Sequence, residues 1–158
     1  MSRELERIEM QLGLSFEGGA WHGPSVLEVL DGVTAEAAYE HPIAGAHSIW
    51  ELVLHISAGY RLVLRRVHGD GRPQTPEEDW PAVDAPTPAA WLGATRDLRE
   101  LNGELRRVVL AFDAERLDAP LVPEPSYTAY TQFIGMTQHD LYHAGQIVLL
   151  KRAMMKGT

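Results

Sequence analysis

The sequence predicts an all-α fold: a four-helix bundle with long crossover connections and short extra helical turns. Three observations point there. Four long segments carry apolar residues at helical spacing, two of them behind explicit start signals. Sustained period-two alternation, the mark of a half-buried strand, is absent. No Asn-Gly type turn offers a hairpin.

Ser2 to about Phe16 sets Leu5, Ile8, Met10, Leu12 and Leu14 among charged residues, with Ser2 as the expected N-cap. Glu17-Gly18-Gly19 breaks that helix, and Trp21-His22-Gly23-Pro24 is an irregular link. Ser25 to Leu30 resumes a helical pattern as far as Gly32, and Thr34 to His41 reads as one or two acidic turns. After the Pro42–Gly45 turn, Ser48 with Glu51 three residues on forms a capping box ahead of an apolar run. The helix it opens extends to about His68, where Gly69-Asp70-Gly71 and Pro73 end it. Residues 69–87 hold no steady period and read as a connection without an element, long enough to cross over the bundle or cover a site. Thr87-Pro88 is the second strong start, for a helix reaching about Asp113. Its Arg96, Arg99, Glu100, Arg106 and Arg107 make a solvated face. Pro120, Pro123 and Pro125 mark another loop, and the last helix runs from about Tyr130 to Met154.

With 158 residues and no linker, the chain is expected to be one domain, residues 1–158. A net charge of −8 speaks against a nucleic-acid partner, whose phosphates need clustered Lys and Arg. The absence of Cys excludes a disulfide scaffold, a zinc ribbon and a cysteine nucleophile. The charged start, Met1-Ser2-Arg3-Glu4, has no apolar core of a signal peptide, and no window reaches a membrane span. A cytoplasmic protein acting on a small molecule, away from membranes, is the expectation.

Within this frame His139 and His143 lie four residues apart on the last helix, so their rings share one face. Two neutral imidazoles so placed can bind one divalent transition metal at about 2 Å. Among 7 His, such a pair also arises by chance, so a third ligand on another helix is required. His55, between Leu54 and Ile56 on the capped helix, is the candidate. Taken alone it reads more readily as a core histidine bonded to a backbone carbonyl or water. Three His ligands leave an open position on the ion, the arrangement of catalytic rather than structural zinc.

His55 behind Ser48-Ile49-Trp50-Glu51-Leu52-Val53, with His139-x-x-x-His143-Ala144-Gly145-Gln146-Ile147, resembles the DinB/YfiT-like superfamily. That group is described as metal-dependent hydrolases and is unrelated to the DNA polymerase sharing the name. Trp21-His22-Gly23-Pro24-Ser25, the Pro42–Gly45 turn and His47 extend the resemblance over most of the chain; residues 69–127 carry little of it. It implies a four-helix bundle, commonly a homodimer, with nickel, zinc or a similar divalent ion on His55, His139 and His143. It also implies hydrolysis, or transfer of a low-molecular-weight thiol of the bacillithiol, mycothiol or glutathione type. A non-catalytic, stress-associated metal-binding bundle is the alternative.

Around the three histidines, Glu51 is a candidate general base, although its place in the capping box already accounts for it. Asp140 follows His139 and is expected about 100° around the helix, at the surface or an interface. Gln146 either bonds near the site or lines a helix contact. Gly145 suggests close approach of another helix. Tyr127, Tyr130 and Tyr142 are read as packing or pocket rim. His22, His41 and His68 are loop or helix-end residues, and His47 is a possible outer contact of the site.

Overall fold

The computed structural model describes residues 2–156; Met1, and with it part of the charged start, lies outside the described residues, as do Gly157 and Thr158. The described chain is all-helical: α1 (Arg3–Phe16), α2 (Val26–Leu30), α3 (Ala35–Tyr39), α4 (Ile49–Val67), α5 (Pro76–Asp79), α6 (Pro88–Ala111) and α7 (Ala129–Lys156). A 3₁₀ turn at Ala114–Arg116 follows α6, and the described residues hold no strand beyond an isolated bridge between Pro120 and Thr128. None of these helices is long and apolar enough to cross a membrane.

Most helix starts follow their sequence signals. Ser48 Oγ accepts from the Glu51 amide at 3.2 Å while Glu51 Oε2 accepts from the Ser48 amide at 2.7 Å, so two orphan donors of α4 are satisfied. Thr87 caps α6 with Pro88 at its first position, and Thr128 Oγ1 accepts from the Thr131 amide at the start of α7. Ser2 departs from expectation: it precedes α1 without a side-chain cap bond, and Glu4 and Glu6 supply negative charge to that first turn instead. The connection over residues 69–87 also holds an element the sequence reading left out. Thr75 and Glu78 form a capping box, as Ser25 with Glu28 and Ser48 with Glu51 do, and α5 is the single turn it starts, with Pro76 at its first position.

The four long helices pack so that α1 and α4 each lie against both α6 and α7. Leu12, Ile56, Leu105, Phe133 and Ile147 are fully buried where they meet. Truncating Phe133 to Ala would cost about 3–5 kcal/mol, the usual range for a buried aromatic.

At the centre of this apolar core sits a polar network drawn from all four helices. Asp140 is 0% exposed, which corrects the expected surface or interface position. The reason is that α7 packs against α1 on one side and α4 on another, so a residue 100° around from His139 is still enclosed. Its Oδ2 accepts from Tyr60 Oη at 2.6 Å and from Ser15 Oγ at 3.2 Å. Asn102 Nδ2 donates to Tyr60 Oη at 2.8 Å. Burial lifts the Asp140 carboxyl to about 7, against the smaller opposing pull of the Tyr60 and Ser15 hydrogen bonds.

Candidate metal centre

Contact between α4 and α7 brings His55 to His139 and His143. His139 Nε2 lies 3.1 Å from His55 Nε2 and 3.1 Å from His143 Nε2, and the candidate ligand atoms of the three all fall within 4.8 Å of one another. Nitrogens bound about 2 Å from a shared ion stand roughly 3 Å apart when adjacent, so this spacing suits one ion.

The far side of two rings decides which nitrogen faces inward. His55 Nδ1 is 2.9 Å from the Asp79 carbonyl oxygen and 3.2 Å from Asp79 Oδ1. Both are acceptors, so Nδ1 carries the proton and donates. His143 Nδ1 likewise donates to Gln146 Oε1 at 2.7 Å. The Nε2 atoms of both rings are therefore lone-pair donors aimed at His139 Nε2. Three neutral imidazoles cannot satisfy one another there, because at most one proton, that of His139, can stand among three convergent nitrogens. A cation resolves that crowding of lone pairs, so the donor set fits a divalent transition metal. Burial, and then the charges His143 and His55 would carry, depress His139 to about 3; burial also lowers His143. Both are thus held in the neutral form that a metal requires.

Segment 69–87 covers part of this centre. Trp80, directly after α5, stacks on His55 with ring centroids 3.9 Å apart and on His47 at 3.6 Å. Asp79 and Trp80 together fix the His55 ring, and neither stood out in the sequence because the segment has no period. The Thr75-Pro76-Glu78 cap was the available signal. His47 does reach the site's surroundings, through Trp80 and not through the three His.

Other candidates fall elsewhere. Glu51 Oε2 is engaged by the Ser48 amide, by His41 Nε2 at 3.1 Å and by His47 Nδ1 at 3.5 Å. Burial raises its pKa, but the Ser48 and His41 hydrogen bonds outweigh that and hold it below the usual carboxylate value. Its contacts are those of a cap, and it stands outside the three-His group. His22 and His68 are exposed. Tyr127, Tyr130 and Tyr142 are exposed as well, and Tyr142 sets its ring edge-on to His143 at 5.1 Å. Gly145 does not mark a close approach: a Cβ there would meet nothing within 4 Å. Gly59 does, since a Cβ on it would lie 3.3 Å from His139 Cε1. From His55 and His139 a groove of about 220 Å³ runs between α4 and α7 past Gly59 and Met136 to Arg66 and Gln132.

The model of the DinB superfamily matches residues 21–147, a span that takes in His55, His139 and His143. The chain belongs to the DinB superfamily. Membership is compatible with metal binding, and the three-His cluster is the place for it. Neither the search of curated proteins nor that of solved structures returns a match.

Proposed function

We propose that this DinB-superfamily chain is a divalent-metal-dependent hydrolase or thiol S-transferase acting on a small molecule. The observation that carries it is the convergence of three Nε2 atoms, two with the opposite ring nitrogen tied to an acceptor. His55, His139 and His143 would hold nickel or zinc, and α1, α4, α6 and α7 would form the four-helix bundle of one domain. A divalent ion so held acts as a Lewis acid and lowers the pKa of a water or thiol in its open position. Asp79 and Gln146 keep His55 and His143 in the ligating tautomer, and Trp80 shields His55 from water. A cytoplasmic homodimer completes the reading.

The test is turnover by nickel- or zinc-reconstituted protein, offered activated esters alone and bacillithiol, mycothiol or glutathione with an electrophile. Thiol consumption or ester cleavage that disappears in His139→Ala/His143→Ala supports it. No turnover with any of these by fully metallated protein contradicts it. The cover of Asp79 and Trp80 over His55 favours a second reading, a non-catalytic metal-binding protein, which predicts tight metal retention in that same experiment without turnover.

A further inference from the structure

The groove that starts at His55 and His139 ends at an arginine without a counter-ion. Arg66 Nη1 donates to Gln132 Oε1 at 2.9 Å, and no carboxylate among the described residues pairs with its guanidinium. Its Nε is buried with no hydrogen-bond acceptor. The neighbouring Arg65 shares the buried Nε without an acceptor but has a counter-ion, with Asp70 Oδ2 at 3.4 Å from that Nε, and its Nη2 donates to the Arg72 carbonyl. Gln132 is 7% exposed and donates from Nε2 to the Tyr127 carbonyl, so its amide is fixed and holds the guanidinium in place. Burial and the adjacent Arg65 charge both lower the Arg66 pKa, the mark of a cation held where charge is costly. A guanidinium that lines a groove, is held by Gln132 and has no carboxylate partner is free to take an anion there.

We infer that this groove binds a small-molecule carboxylate, with its acid group on Arg66 and its reacting end at the three histidines. The inference rests on the reading of those histidines as the reacting centre. A planar guanidinium fork matches a carboxylate, and one uncompensated positive charge matches a monoanion. Asp79, on the same groove, would oppose a second negative charge, as would the net charge of −8. Gln132 and His139 lie about 10 Å apart along α7, seven residues at about 1.5 Å each, which sets the length of the occupant. Between the two ends Gly59, Gly135 and Met136 offer an apolar, side-chain-poor floor for a short aliphatic stem.

The probes are mercaptohexanoate and its uncharged counterpart mercaptohexanol, titrated calorimetrically into metal-free and cobalt(II)-loaded full-length protein. Wild-type metal-free protein is expected to bind the carboxylate at least about tenfold more tightly than the alcohol, and Arg66→Met to erase that preference. Thermal melts followed by circular dichroism establish that the variant folds; Arg66→Gln, which keeps a donor without charge, carries the same test should Arg66→Met not fold. Equal affinity for the two probes in the wild type, or a preference that survives loss of the Arg66 charge, overturns the assignment. Cobalt loading separately reads the reacting centre: it should tighten both thiols in wild type and variant alike. Unchanged affinity on loading contradicts the metal reading, while the metal-free titrations still decide the role of Arg66.

Discussion

Removing one oxygen from Tyr60 tests how the core supports the candidate site. Tyr60→Phe deletes the donor to Asp140 Oδ2 at 2.6 Å and the acceptor of Asn102 Nδ2 at 2.8 Å while keeping the buried ring. Asp140 would then retain Ser15 at 3.2 Å, with Oδ1 already lacking a partner, and Asn102 only the Leu12 carbonyl at 3.4 Å. A hydrogen bond to a charged group contributes about 1.5–3 kcal/mol and a neutral one about 0.5–1.5, so the loss is about 2–4 kcal/mol with Asp140 ionised. For a chain of this size that lowers Tm by roughly 5–15 °C. The cost should depend on pH with a definite sign. Burial raises Asp140 from 3.8 to about 7, and the Tyr60 bond partly offsets that rise. A folded-state pKa above the unfolded one gives stability that is present below the unfolded value and lost as pH rises through the folded value. Without Tyr60 Oη the pKa climbs further, so the extra loss appears as pH passes about 7. His139, depressed to about 3, works in the opposite direction, its stability being lost as pH falls below 6.5, but it is common to both proteins and cancels. Urea unfolding of metal-free wild type and variant at about pH 5 and about pH 8.5 measures the difference. A cost under about 1 kcal/mol at both, or a larger one at the acid end, would refute the network as described.

Three further substitutions separate the contacts of the histidine cluster. Gly59→Ala places a Cβ 3.3 Å from His139 Cε1 and 3.4 Å from Met136 Cε, so the ring must shift; metal affinity should fall about tenfold in a competition titration with a chromophoric chelator. Gly145→Ala meets nothing within 4 Å and should instead raise stability by about 0.5–1 kcal/mol through helix propensity, read as a higher Tm with metal affinity unchanged. Gln146→Leu removes the acceptor 2.7 Å from His143 Nδ1 and frees that ring to change tautomer; a loss of about 10–100-fold in metal affinity is expected, with unfolding little changed.

Much of this was legible in the sequence because helices obey local rules. The Ser48/Glu51 box and Thr87-Pro88 fixed where α4 and α6 begin, and i, i+4 spacing put His139 and His143 on one face. His55 could be joined to them only by assuming that α4 and α7 touch, which they do. Asp140 escaped because a single-faced helix was assumed, whereas α7 is enclosed on more than one side. Tyr60, Asn102 and Ser15 gave no periodic signal, since a polar group in a core position differs from a surface one only by its tertiary partners. Asp79 and Trp80 reach His55 from a Pro- and Gly-rich segment whose path no periodicity encodes. Arg66 looked like any basic residue in the last turn of a helix, where cations favour the dipole. That it lacks a carboxylate partner is a property of the fold.

The most direct test of the metal centre is equilibrium binding of nickel or zinc to metal-free, untagged protein beside His139→Ala/His143→Ala, with bound metal measured by elemental analysis. The account predicts about one equivalent per chain for the wild type and none retained by the double variant. Wild-type protein that takes up no divalent ion, or a double variant that binds as well as the wild type, would contradict it.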